Sequence, residues 1–421
     1  MSRPDAPVAI VGAGLAGLSC AVALHDAGVP VRLFEASDGV GGRVRTDRVD
    51  GFTLDRGFQV ALTAYPEMHR QLDLAELDLQ AFDPGALVWR NGRGAVVGDP
   101  FRRPSTVLST ATAPIGSVFD KARIGLLRRR LRGVHPVQLL RNPDRSTRQA
   151  LRDAGFSDTI IERFFRPLVG GIQLDPELND SRRMFDIIFR MLADGDSAVP
   201  AAGMQAIPEQ LAAGLPDGAV QLDARVTAST AHSITVDGLG EITAAAVVVA
   251  TEGPVAAELL DIGEVESKSV GAVYFSASEP PIDDKLVVLD GTGKGPVLNV
   301  AVMSNVAPTY APAGRHLIVA SMPGHVEDSI EPAARAQLRS WWGPVVDTWE
   351  HLQTYRIDHG QPRQRPPFDP KRSVTTTDGR FVCGDHRDTA SIQGAMFSGR
   401  RCGMAVADAI GHTGLHGRQE H

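Results

Sequence analysis

Apolar residues near the start of the chain fall into short runs separated by glycine and charge. Val8-Ala9-Ile10-Val11 is an unbroken apolar run of strand length, the pattern of a strand buried on both faces. It leads into Gly12-Ala13-Gly14-Leu15-Ala16-Gly17, and the small residues from Leu18 to Ala27 predict a helix that stops at Gly28. Val31-Arg32-Leu33-Phe34 predicts a second strand, closed by Glu35, which completes a βαβ unit. Further on, Ala219 to Ser229 and Ile234 to Val236 predict a strand pair, and Ala245 to Ala250 a buried strand. Phe381 to Asp385 predicts a last strand and turn, with a helix from Gly394 to Ile410. Residues 81–199 carry a mostly helical pattern, and residues 263–375 mix strands, loops and proline. The expectation is one discontinuous unit, 1–80, 200–262 and 376–421, and a second built from 81–199 and 263–375.

The glycines between the first strand and helix have a chemical reason. Gly12 permits the tight turn, Gly14 lets backbone approach a pyrophosphate, and Gly17 allows close helix–strand packing. The N-terminus of the helix after them offers unpaired N–H groups to phosphate oxygens. Glu35 is placed to accept hydrogen bonds from a ribose hydroxyl. Strand, turn, helix, strand and acid in that order predict a dinucleotide site.

The segment after the second strand narrows the nucleotide. Glu35-Ala36-Ser37-Asp38-Gly39-Val40-Gly41-Gly42-Arg43 resembles the E-A-x-x-x-x-G-G-R stretch of the FAD-dependent amine oxidase and phytoene desaturase superfamily. There Gly41 and Gly42 would bring amides near the pyrophosphate, and Arg43 a fixed positive charge. At the other end, Gly384-Asp385 followed by Gln393-Gly394-Ala395 and Ser398-Gly399 resembles the family's closing motif. The resemblance implies Asp385 near the ribityl–pyrophosphate region and helix amides at the pyrimidine edge of the flavin. Asp55-Arg56-Gly57-Phe58-Gln59-Val60 resembles the segment beside the flavin ring, and Val226 and Thr251 fall on the strands flanking the adenine. Phe164 to Ile172 and Ala198 to Met204 resemble the helical insert of desaturase-like members. The resemblance implies an α/β fold: a glutathione-reductase-type FAD-binding Rossmann domain with an inserted mixed α+β substrate domain.

Two departures bear on the substrate. Amine oxidases of the family carry an aromatic residue just before the closing glycine, where this chain reads Ala390-Ser391-Ile392-Gln393. They also place a lysine on a substrate-domain strand, and alignment puts Val270 there, with Lys268 two residues away on the same face. Both favour oxidation of an apolar, isoprenoid-type substrate in a desaturase or dehydrogenase reaction. The alternatives are an amine oxidase with an atypical aromatic cage and a non-catalytic FAD-binding protein. Ile160-Ile161, Phe164-Phe165 and the Phe185 to Leu192 stripe would suit a substrate tunnel, although such stripes more often form core. No general base presents itself, and flavin carries hydride chemistry without one.

Composition removes other classes. Of 421 residues 43% are hydrophobic and 22% charged, which is globular, and the net charge of −7 argues against nucleic acid as a partner. Cys20, Cys383 and Cys402 show no metal-ligand spacing, and Cys383 does not resemble the family's covalent flavin position, so FAD is expected to be non-covalent. Sparse cysteine, no signal-peptide pattern in Met1 to Pro7 and no long apolar stretch point to the cytoplasm. Asp120 to Arg148 carries nine cations against two acids with interspersed leucines, the pattern of a basic amphipathic helix able to contact a membrane surface. His386 and Gln59 fall close to the expected flavin, and Trp341, Trp342 and Trp349 read as helix packing.

Overall fold

A computed structural model describes residues 6–412. The expected termini of the FAD-binding unit, 1–5 and 413–421, lie outside the described residues. Five parallel strands form the first sheet, in the order Val220–Gln221, Val31–Phe34, Val8–Val11, Val247–Val249, Phe381–Val382. Val8 to Val11 is central and fully buried, which explains its unbroken apolar sequence. The helices Leu15–Asp26 and Ile392–Ala409 pack together beside this sheet. Their closeness depends on small residues: a Cβ on Gly399 would collide with the Ala16 carbonyl, and one on Gly403 would lie 2.7 Å from that of Cys20.

A second sheet has seven strands, in the order Glu350–Pro362, Ser267–Ala277, His316–Pro323, Asn299–Val302, Val287–Asp290, Gly85–Arg90, Arg93–Gly98. The last two strands come from residues 81–199, so this stretch is less helical than its pattern predicts. The hairpin is short and rich in glycine, and its pairing with Val287–Asp290 is a long-range contact that local periodicity cannot show. Its helices lie over this sheet, and Trp341, Trp342 and Trp349 pack on its other side with ring centroids 5.5 and 5.7 Å apart. Trp349 comes after the helical turn rather than lying in it.

Three other expectations change. The helix after Gly12 begins at Leu15, and the closing helix at Ile392. The predicted strand over Ala219 to Ser229 is two strands: Val220–Gln221 joins the parallel sheet, whereas Val226–Ser229 turns away to pair with Ser233–Val236. Asp120 to Arg148 is no continuous helix: Val118–Arg132 ends at Gly133, and Pro136 starts a new short turn. The Ile160 to Phe165 and Phe185 to Phe189 stripes bury one another. Phe165 stacks edge-on with Phe156, Phe164 and Phe185 at 5.0, 5.3 and 5.9 Å, which is a packed core.

Candidate functional site

The carboxyl ends of the parallel strands Val8–Val11, Val31–Phe34, Val247–Val249 and Phe381–Val382 carry Gly12 to Gly17, Glu35, Thr251 and Gly384-Asp385. This is where parallel α/β sheets bind ligands. Gly12, at φ +99°, turns so close to the neighbouring strand that a Cβ there would sit 3.1 Å from the Ala250 carbonyl and 3.3 Å from the Thr251 amide. A Cβ on Gly17 would run into the Gly12 carbonyl. Gly14 differs, because a Cβ there would meet nothing within 4 Å. The absence of a side chain at Gly14 leaves open space at the mouth of the Leu15–Asp26 helix.

That helix start is built for an anion. Gly14 is extended and offers no side-chain cap, and Leu15, Ala16 and Gly17 are buried. Their first-turn N–H groups have no intrahelical acceptor, so a negatively charged ligand is their natural partner. Glu35 is held in place by three donors: the Ala13 amide at 2.8 Å, the Ser37 amide at 2.9 Å and the Ser37 hydroxyl at 2.8 Å. Gly41 forms a parallel bridge with Gly14, and a Cβ on Gly42 would face the Gly14 Cα at 3.5 Å. Ala36, in contrast, is exposed.

Arg43 reaches the far end of the chain. Its guanidinium donates to both Asp385 carboxylate oxygens, at 2.9 and 2.7 Å, and to the Gly360 carbonyl at 2.8 Å. Burial works to raise the Asp385 carboxyl, and Arg43 more than offsets it, holding it below the usual range. Gly384 donates its amide to the Ser398 hydroxyl at 3.2 Å. Ser391 caps the closing helix through Gly394 N–H at 3.0 Å, and Gln393 accepts from the Glu67 amide at 2.9 Å. Ala395 is half-buried on the same first turn.

The segment expected beside the ring is braced from below. Asp55 is buried, bonded to Thr46, the Met204 amide and Tyr310 at 2.6, 2.8 and 2.9 Å, and burial pushes its carboxyl up to about 6. Tyr274 donates to the Asp55 and Gly57 carbonyls at 2.8 and 3.2 Å. Gln59 donates to the Arg43 and Arg56 carbonyls, so its amide ties the loop together. Phe58 and Val60 pack, half-buried, on the core. Val226 packs behind Phe34 and Ala224.

Sequence reasoning named Lys268, Thr251 and His386 but missed Asp180 and His359 beside them, because only the fold assembles these groups. Lys268 is buried and ion-paired with buried Asp180, whose other oxygen accepts the Gln364 amide at 3.2 Å. His359, bonded to Ser267 at 2.7 Å, comes two residues after Ile357, whose methyl a Cβ on Gly57 would touch. His386 is buried beside Gly384 with both ring nitrogens unpartnered, and the Thr251 hydroxyl and His359 Nε2 are also buried without partners. Burial holds both imidazoles neutral, down to about 4. Cys20, Cys383 and Cys402 lie within 4.8 Å of one another, deep between the two packed helices. An extended diphosphate dinucleotide fits these groups: an uncapped helix start, an open glycine, a prearranged acid and unpaired polar atoms along one seam.

Fold and site are therefore those of a dinucleotide-binding α/β protein. Residues 15–407 match the flavin containing amine oxidoreductases, and the chain belongs to that family. An oxidoreductase from Methanosarcina mazei shares the fold at TM-score 0.72 and 19% identity, over 94% of this chain and 99% of that one. Coproporphyrinogen III oxidase of Staphylococcus aureus is 29% identical over 177 residues, 39% of this chain and 36% of that protein. Hydroxysqualene dehydroxylase of Sinorhizobium fredii is 45% identical over 58 residues, 13% of this chain and 14% of that protein. The matched segments thus span about a third or less of these curated relatives' length. Among the described residues no helix is long and apolar enough to cross a membrane.

Proposed function

We propose that this oxidoreductase takes a hydride equivalent from a C–H bond of an apolar, isoprenoid-type substrate. One observation carries the reading: the tyrosines and tryptophans that could form an amine-binding cage are committed to packing and to bracing the backbone. Tyr274 and Tyr310 brace Asp55 and its loop, Tyr355 donates to Asp47 at 2.7 Å, and Tyr65 is buried in the core. All four tryptophans, Trp89 included, share one cluster on the seven-stranded sheet. Lys268, the one lysine near the expected position, has its ammonium sealed against Asp180. The named substrate of the matched dehydroxylase, hydroxysqualene, is of the same chemical class.

In this reading residues 6–80, 200–262 and 376–412 hold the cofactor, and the two intervening stretches hold the substrate. Ala13 to Gly17 and Gly41-Gly42 would hold the pyrophosphate, Glu35 the adenosine ribose, and Val226 and Thr251 would flank the adenine. Arg43 and Asp385 would hold the middle of the dinucleotide, and the start of the Ile392–Ala409 helix would face the ring. FAD supplies the hydride-accepting chemistry when bound, and the protein contributes position, dryness and a positive helix end. The three cysteines are buried between the two packed helices, which supports a non-covalent cofactor.

The test is the visible spectrum of the anaerobic holoprotein mixed with small amines or with an isoprenoid alcohol and polyene series. Bleaching by an isoprenoid and none by amines is expected. Bleaching by amines alone would overturn the reading and make this an amine oxidase with another cage.

A further inference from the structure

Of the large apolar side chains left open to water, six fall between residues 101 and 126: Phe101, Val107, Leu108, Val118, Phe119 and Leu126. Leu108 is 74% and Phe119 71% exposed. The Val118–Arg132 helix is apolar on two opposite sides. Leu127 and Leu131 face the core, whereas Val118, Ala122 and Leu126, spaced by four, form a bare outer stripe. The neighbouring Val107–Thr112 helix buries none of its side chains. The two are tied together: the Arg128 guanidinium lies over the Phe101 ring at 4.6 Å, and Lys121 donates to the Ala111 carbonyl at 2.6 Å.

The unpaired charge beside this apolar face is positive, and the nearby Asp99 is taken up by Arg128. No acid occurs from Phe101 to Phe119, and Asp120 is buried, accepting from Ser117 and Ser157. Arg123, Arg129 and Arg130 have no carboxylate within 4.0 Å among the described residues. By contrast Arg132, Arg145 and Arg148, further along the basic segment, are paired with Asp194, Asp153 and Glu162. Arg141, near the far end of the segment, is unpaired among the described residues as well, but Arg123, Arg129 and Arg130 are the unpaired arginines on the helix that carries the apolar stripe.

We propose that this face docks on a lipid bilayer carrying anionic headgroups. Phe119, Leu126 and Leu108 enter the interface, and Arg123, Arg129 and Arg130 meet lipid phosphates. A soluble protein gains nothing by keeping such side chains in water, and clustered apolar patches mark interaction surfaces. Charge chooses the partner. A symmetric dimer through this face would set like arginines against each other, whereas an anionic bilayer attracts every basic residue near its surface. The overall charge of −7 would otherwise repel such a surface, so attraction has to be local. The inference stands apart from the substrate reading, although a bilayer would be a source of apolar substrate.

The test is co-sedimentation of the holoprotein with phosphatidylserine-containing or pure phosphatidylcholine vesicles. Salt is set at about 0.1 M and about 1 M, where the screening length drops from about 10 to about 3 Å. The wild type is expected to pellet with the anionic vesicles at low salt. Phe119→Ser/Leu126→Ser and Arg129→Glu/Arg130→Glu are each expected to weaken binding at least ~10-fold with flavin content unchanged. These positions are exposed, so the fold survives the changes. No pelleting by the wild type, or pelleting that neither variant weakens, would overturn the proposal. So would a wild-type dimer in sedimentation velocity that Phe119→Ser/Leu126→Ser dissociates.

Discussion

Arg43 and Asp385 stand 342 positions apart in sequence and meet through two hydrogen bonds, of 2.9 and 2.7 Å. Neither motif predicts the other as its partner, yet the pair joins the Gly-Gly-Arg and Gly-Asp motifs from the two ends of the chain. It is asymmetric: the Asp385 side chain is 5% exposed and that of Arg43 30%. Removing the cation strands a buried carboxylate, which costs about 3 kcal/mol or more. Arg43→Ala is therefore expected to lower the unfolding free energy by that order and to weaken FAD retention at least ~10-fold. Arg43→Lys should recover little, because an ammonium cannot make the two parallel bonds. Urea unfolding and fluorimetric FAD titration measure both effects.

Two glycines of one motif should fail differently. A side chain at Gly17 meets the Gly12 backbone, whereas one at Gly14 meets open space. Gly17→Ala should destabilise the apoprotein by several kcal/mol, through a clash neither backbone can relieve. Gly14→Ala should leave apoprotein stability within about 0.5 kcal/mol, as for an unstrained substitution, and still abolish tight FAD binding. Equal damage to apoprotein stability from both would contradict the placement of the pyrophosphate at Gly14.

The Lys268–Asp180 pair is expected to be structural. Lys268→Met alone leaves Asp180 charged and buried and should cost about 3–5 kcal/mol. Adding Asp180→Asn, which keeps an oxygen for the Gln364 amide, should restore most of the loss. The double variant should keep the rate of anaerobic flavin reduction by its best substrate within a few-fold. A loss of that rate with stability restored would place Lys268 in the chemistry.

Acid should expose the buried imidazoles. His386 sits at about 4 in the folded protein because burial disfavours its cation, and at the ordinary 6.5 when unfolded. The unfolded chain thus binds more protons between these values, and this residue's contribution to stability falls as pH drops from 6.5 to 4, by about 3 kcal/mol in all. Asp55 has the opposite sign: with its folded value raised to about 6, acidification below 6 stabilises the fold. His386→Asn is expected to flatten the slope of unfolding free energy against pH by up to one proton over this window, and Asp55→Asn to steepen the loss. Urea titrations at pH 7 and pH 5 separate them.

The βαβ unit, its glycines and Glu35 were legible because they rest on local rules. A four-residue apolar run buries itself in a parallel sheet, and a glycine is demanded by a turn within a few residues of it. The same holds for the Gly-Gly-Arg and Gly-Asp motifs, and with them for the family, the fold and FAD. What local pattern cannot carry is the partner of a side chain across the fold. Lys268 with Asp180, the neutral His359 and His386, and the bracing of the Asp55 loop by Tyr274 and Tyr310 exist only where distant strands are brought together. Nor could periodicity separate a tunnel from a core in the phenylalanine stripes, since both ask for the same residues, and packing decided for core. The basic segment shows the limit from the other side. Its charges were countable in the sequence, but which arginines stay unpaired, and that an apolar stripe lies bare beside them, was settled by tertiary contacts, because a charge is free or spent according to what the fold sets within reach of it.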